Sequence, residues 1–242
     1  MNSNEDNFRP GGTTAVVNGT TLYYEVSGEG EPILLLHGNG EDCSVFDEVA
    51  VLLRKSYRLY AIDSRNHGRS GRTDDYSYET MTEDAAALIR TLALEKVRIL
   101  GFSDGAIVGM MLAMRHGDLV SKAALLGINL KPSDFTDENM KFIQDTYQET
   151  GDPLFKMMME QPNIELDDVR NLPVPVLLVS AEDDLFKPES FDTLAEALPR
   201  ATQLVMKGHD HASYIIHNDL LAQDLLDFFG ADETGAYPGC LF

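Results

Sequence analysis

One serine stands between two glycines in Gly101-Phe102-Ser103-Asp104-Gly105, where the apolar run 97–103 meets a helical pattern at 104–117. A strand that turns this tightly into a helix admits only small flanking residues, which accounts for Gly101 and Gly105. Such a turn pushes the Ser103 hydroxyl out at the C-terminal end of its strand, the edge where open α/β sheets bind ligands. The helix that follows points its N-terminus at the same spot, so the backbone N–H of Asp104 can stabilise an oxygen on which negative charge develops. The chemistry implied is attack of a hydroxyl on an acyl carbon.

A serine hydroxyl is a poor nucleophile without a base, usually histidine, that is itself oriented by a carboxylate. The chain has six histidines. His37 and His67 precede the serine. His116 falls at a helix end, where a cation suits the dipole. His217 falls inside an expected last helix near 213–229 and reads as structural or exposed. His209 and His211 remain, in "KGHDHASY", expected in a loop after the final strand. "LLVSAEDDLF" supplies Asp183 and Asp184 in the loop after the preceding strand.

These residues need a scaffold, and the hydropathy pattern provides one. "TTAVVNGTTLYYEVSG" (13–28) has two β-rich runs about Asn18-Gly19, a pair that tolerates positive φ and so predicts a tight hairpin. Continuous apolar runs at 32–38, 57–63, 97–103, 122–129, 174–182 and 201–208 read as strands buried on both faces. Helical spacing falls between them at 47–56, 79–94, 104–117 (closed by Gly117) and 189–198. Alternating strands and helices predict βαβ units and a mostly parallel sheet with helices on both faces. The rhythm breaks at 130–172, which carries helical patches such as "ENMKFIQDTYQE" and "PLFKMMMEQ" but no strand. Met157, Met158 and Met159 there suit either an adaptable apolar pocket or simple packing.

Composition narrows the function classes. The chain has 242 residues and a formal net charge of −21, which repels nucleic-acid phosphates and anionic membrane surfaces. It contains no apolar run long enough to span a bilayer. The polar, acidic N-terminus lacks the basic and apolar regions of a secretory signal, which predicts a cytoplasmic protein. Cys43 and Cys240 show no metal-ligand spacing, and Cys240 is expected on a frayed tail as a free thiol.

The order Ser…Asp…His, each just past a strand, resembles the α/β-hydrolase superfamily over roughly residues 13–229. That resemblance implies an α/β fold with an eight-stranded, mostly parallel sheet and a short helical cap after strand 6, at about 130–172. The termini, 1–12 and 231–242, are expected to be loosely ordered. The family pattern Gly-x-x-Asp-x-apolar maps onto Ala181–Phe186 and selects Asp184 over Asp183. Family histidines commonly precede a small residue and the last helix, which selects His211 over His209. "LLLHGNG" (34–40) resembles the family's oxyanion loop, with the backbone N–H of Asn39, or of Gly40 if the register shifts by one, as the second donor beside Asp104. His37 is structural in such loops. "DSRNHGRS" (63–70) resembles the family's Asp-x-Arg-Gly-x-Gly-x-Ser segment, with Asn66 in place of its first glycine. Asn tolerates left-handed φ, so the turn can survive.

The expectation is therefore a serine hydrolase that needs no cofactor or metal and cleaves a small-molecule ester through Ser103, His211 and Asp184. A carbon–carbon bond hydrolase or a perhydrolase would use the same residues. A hydrolase-like sensor of a small ligand would use the same pocket. The acid at Asp104 suits a helix N-terminus, and could also bias the pocket against anionic substrates.

Overall fold

In the computed structural model, which describes residues 11–231, Asn18 and Gly19 take φ values of 43° and 77°. Two such residues match the twist of a two-residue hairpin, and they join β1 (Thr13–Val17) to β2 (Thr20–Ser27). Beyond the hairpin the chain alternates: β3 (Glu31–Leu36), α1 (Asp47–Leu53), β4 (Tyr57–Ile62), α2 (Tyr78–Thr91), β5 (Val97–Phe102), α3 (Asp104–Arg115) and β6 (Val120–Leu126). Three helices follow without a strand between them: α4 (Asp137–Thr150), α5 (Pro153–Glu160) and α6 (Leu166–Val169). The alternation then resumes with β7 (Val176–Asp183), α7 (Pro188–Ala197), β8 (Ala201–Asp210) and α8 (Ala222–Gly230).

The strands form one eight-stranded sheet in the order β1-β2-β4-β3-β5-β6-β7-β8. The hairpin pairs antiparallel and adds to β4 antiparallel, while every pairing from β4 to β8 is parallel. The continuous apolar runs have a simple cause. Successive side chains along a strand face opposite sides of the sheet, and both sides are covered. Leu34, Ile99, Leu125 and Leu178 pack with α2, α3 and α7 on one face. Ile33, Leu35, Leu100, Ala124 and Leu177 pack with α1 and α8 on the other. Met157 is 2 % exposed and belongs to the first of these cores, and Met158 and Met159 pack against it. No helix among the described residues is long and apolar enough to cross a membrane.

Several expected boundaries move. The last helix begins at Ala222, and residues 211–221 form a run of turns. The carboxylate of Asp210 accepts the N–H groups of Ala212 and Ser213, and the Asn218 side chain accepts that of Leu220. Short polar side chains that bond nearby backbone in this way compete with helix. His217 consequently sits in a turn at φ 47°, not in a helix. His209 lies near the end of β8, not in the loop beyond it. The helix expected over 47–56 ends at Leu53, because the N–H groups of Lys55 and Ser56 bond three residues back and tighten its last turn. Helix α3 ends at Arg115 with His116 as its cap, and Gly117 does not adopt the left-handed conformation that closing the helix would require. Asn66 does adopt it, at φ 65°. Most of the tails expected to be loosely ordered, and Cys240 with them, lie outside the described residues.

Candidate active site

Ser103, Asp184 and His211 are each the first residue after a parallel strand, namely β5, β7 and β8. Ser103 is held at φ 53° and ψ −118°, a sparsely populated conformation that costs on the order of 1–3 kcal/mol for a non-glycine residue. The surroundings enforce it. The Ser103 N–H donates to Leu126 O at 2.8 Å, and its carbonyl accepts the Ala106 N–H at 2.8 Å. A Cβ on Gly101 would lie 2.4 Å from the Gly105 carbonyl oxygen, and one on Gly105 would lie 1.9 Å from that of Leu36.

The structure brings the three side chains into one hydrogen-bonded chain. The Ser103 hydroxyl lies 3.0 Å from His211 Nε2, and His211 Nδ1 lies 2.7 Å from Asp184 Oδ1. Asp184 also accepts the N–H groups of Ala181 at 2.9 Å and Leu185 at 2.8 Å, so its carboxylate is fixed from three directions. The rings of Phe102 and Phe186 stand 5.1 Å and 5.4 Å from the imidazole. Ser103 and His211 are 9 % and 8 % exposed. The alternatives lie elsewhere: His209 is half-buried and bonds Ser213, and Asp183 is exposed opposite Asp210 across β7 and β8.

Strand β6 lies between β5 and β7, so the imidazole must cross the end of β6 to reach Ser103. The first residue after β6 is Gly127, at φ 58°. A Cβ there would lie 2.5 Å from His211 Cε1. Glycine at this position makes room for the ring.

The loop after β3 passes against the same serine. A Cβ on Gly38 would come 3.1 Å from Ser103 Cβ. His37 is buried; its Nδ1 donates to Gly38 O at 2.8 Å and its Nε2 accepts the Ser64 N–H at 3.0 Å. Burial, with His67 beside it, lowers its pKa to about 4. His37 is therefore a neutral, doubly bonded strut at neutral pH. Glu41 closes the turn, accepting the Gly38 N–H on Oε2 at 2.8 Å while its own N–H reaches Gly38 O. Burial raises the Glu41 carboxyl to about 7. The Asn39 side chain donates to Asp104 Oδ2 at 3.0 Å, and the Tyr78 hydroxyl donates to Asp104 Oδ1 at 2.7 Å. Asp104 opens α3, so its backbone N–H has no acceptor within that helix.

A family model of the alpha/beta hydrolase fold matches residues 31–154, just over half of the chain and inclusive of the loop after β3 and the turn at Ser103. The chain belongs to the alpha/beta hydrolase family. Over 110 residues it is 36 % identical to an uncharacterised hydrolase of Bacillus subtilis, YraK, a stretch that covers 44 % of this chain and 41 % of that protein. The chain thus spans less than half the length of that curated relative. The enol-lactonase of Burkholderia xenovorans superposes with a TM-score of 0.77 at 23 % identity, covering 90 % of this chain and 100 % of that one. A meta-cleavage product hydrolase of Pseudomonas fluorescens gives 0.76 at 21 %, covering 90 % and 97 %. At these identities the likeness is one of fold.

In this alpha/beta hydrolase, sequence reasoning missed Glu41, Tyr78 and Gly127. Glu41 had a local signal, an acid three residues beyond Gly38 and able to reach back to its N–H. Tyr78 had none, since it meets Asp104 only through the packing of α2 on α3. One further cluster has metal-ligand proximity: Asp42, Cys43 and Asp63 place ligand atoms within 4.8 Å of one another. Asp63, however, already accepts the N–H groups of Cys43 and Arg69, and burial pushes the Cys43 thiol far above its ordinary value. Bonds within the protein occupy these groups, and a protonated thiol is a poor metal ligand.

Proposed function

We propose that the protein is a serine hydrolase that cleaves small carboxylic esters. The observation that carries this reading is the imidazole of His211 within hydrogen-bond reach of both the Ser103 hydroxyl and the Asp184 carboxylate. Ser103 Oγ attacks the ester carbonyl carbon as its proton passes to His211 Nε2. Asp184 holds the ring through Nδ1–H and stabilises the imidazolium that forms. The carbonyl oxygen, now negative, is received by the backbone N–H groups of Asn39 and Asp104. Collapse of the tetrahedral adduct expels the alkoxide, which takes the proton from His211 and leaves as the alcohol. A water molecule then gives its proton to His211 and attacks the acyl-enzyme, releasing the acid and restoring Ser103.

The stretch 130–172 is read as a cap over this site, with α4, α5 and α6 as its helices. A cap of this size covers a limited area, and the net charge of −21 offers anionic lipid interfaces no attraction. Both features favour short, soluble acyl esters.

Fluorophosphonate labelling and a series of p-nitrophenyl esters from acetate to laurate test the reading. Wild type should label once, turn over many times on the shortest esters and lose activity beyond medium chain length. Ser103→Ala should abolish labelling and lower the rate by several orders of magnitude. Labelling at another serine would overturn the assignment. Best activity on emulsified laurate would replace the esterase reading with that of a lipase.

A further inference from the structure

We propose that Tyr78 is a positioning residue for this acyl transfer, fixing the Asp104 carboxylate that ties together the two residues whose backbone amides receive the oxyanion. The inference rests on the acyl-transfer reading above and adds to it the device that sets the oxyanion site.

The two amides come from distant parts of the chain. Asp104 opens α3 and Asn39 lies in the loop after β3. An oxyanion site works only if both donors are held in place before charge develops. Their backbones are linked through their side chains, because Asn39 Nδ2 donates to Asp104 Oδ2 at 3.0 Å. The other oxygen of the same carboxylate accepts the Tyr78 hydroxyl at 2.7 Å. Asp104 is 5 % exposed and Tyr78 2 %, so water offers the carboxylate little substitute for either donor. Without the Tyr78 hydroxyl, Oδ1 would be buried without that donor, and the carboxylate would have to turn and loosen its hold on Asn39.

The same chain reaches the helices between β6 and β7. Asn39 Nδ2 also lies 3.4 Å from Leu154 O in α5, and the Tyr78 N–H donates to Gln161 Oε1, just beyond that helix, at 3.3 Å. Gln161 Nε2 in turn donates to Tyr76 O at 3.2 Å. Both ends of the Asn39–Asp104–Tyr78 chain therefore rest on the helical segment over the site.

Tyr78→Phe removes one oxygen and keeps the ring that fills the core. In this variant kcat on p-nitrophenyl acetate should fall about tenfold with KM within about twofold, the pattern of a lost transition-state interaction. The rate of fluorophosphonate labelling should fall by a similar factor, because that reaction also builds charge on an oxygen at the site. Asn39→Ala should produce the same split. The double variant should be little worse than either single one, since both act through one carboxylate. A merely structural loss would move the unfolding midpoint without this split and would multiply with Asn39→Ala. If wild type and Tyr78→Phe label Ser103 at equal rates, the positioning role is overturned and the acyl-transfer reading stands. If wild type does not label at all, both fall. Should Tyr78→Phe not fold, Asn39→Ala alone decides: a kcat equal to wild type overturns the proposal.

Discussion

Glu41→Gln removes an acid that bonds the Gly38 N–H and feels the charges of His211 and Asp104, and keeps an oxygen able to accept that N–H. The substitution should make the protein's stability less dependent on pH. Burial raises the Glu41 carboxyl from 4.5 to about 7, against the opposing pull of the Gly38 N–H and of His211. In the unfolded chain the same carboxyl titrates near its ordinary value. Between those two values the folded state holds a proton that the unfolded state has released. Stability contributed by this group is complete below pH 4.5, falls as pH rises through the window, and levels off above about 7. At about 1.4 kcal/mol per pH unit the loss is about 3 kcal/mol, a large share of the net stability of a folded domain.

The assay is urea unfolding of wild type and Glu41→Gln at pH 5 and pH 8. Every other titrating group is common to the two proteins, so their difference isolates Glu41. Wild type should lose about 2.5 kcal/mol more than the variant between the two conditions, since part of the loss falls below pH 5. Equal losses, within about 1 kcal/mol, would show that Glu41 titrates as an exposed acid and would refute the account of the turn after β3 as one closed by a carboxyl that burial holds above its ordinary value. A greater loss in the variant would reverse the sign and refute it as well.

Other substitutions separate neighbours that the local sequence does not distinguish. His211→Ala should match Ser103→Ala in its loss of esterase activity, whereas His209→Ala should retain most of it; steady-state rates on p-nitrophenyl acetate decide. Asp184→Asn should cost orders of magnitude in kcat, and Asp183→Asn, at an exposed site, less than about threefold. Asp84→Ala should destabilise the protein by about 3–5 kcal/mol in urea, because it strips a bidentate partner at 2.6 Å and 2.8 Å from Arg65, whose side chain is only 4 % exposed. Asp75→Ala removes a weaker and half-exposed contact to the same guanidinium, at 3.8 Å, and should cost less than about 1 kcal/mol.

The sheet was readable because its strands are short, apolar and buried on both faces, so each announces itself within a few residues. The hairpin was readable from Asn18-Gly19, since few residue pairs tolerate two positive φ values. The stretch 211–221 was misread for an equally physical reason. "ASYIIHNDLLAQDLL" has helical spacing, yet Asp210 and Asn218 draw nearby N–H groups to their side chains, and the His217 N–H donates to Val45 O at 3.1 Å. The last of these contacts lies about 170 residues away in sequence, beyond the reach of any local pattern.

The site divides along the same line between local and distant causes. Ser103 could be found from five residues, because two glycines beside a serine at a strand's end have a steric reason that acts within those five. The pairs Asp183/Asp184 and His209/His211 could be read from their positions near the ends of the last two strands, but choosing one of each pair needed the likeness to a family. In the structure that choice follows from where β7 and β8 end. Strand β7 stops at Asp183 and β8 at Asp210, so the next residue of each turns inward over the sheet edge. Strand ends are set by pairing with neighbours, and a bulge between Ala181 and Asp183 shifts the register there. Tyr78 and Gly127 belong to the distant class, whereas Glu41 bonds a residue only three positions away. Tyr78 and Gly127 are ordinary in their own segments and acquire meaning only when folding sets them against Asp104 or His211. A reactive side chain can be named by its own chemistry, whereas the groups that hold it in place are defined by what they touch. For that reason the residues around the loop after β3, more than Ser103, Asp184 and His211 themselves, carry the part of this site that only folding reveals.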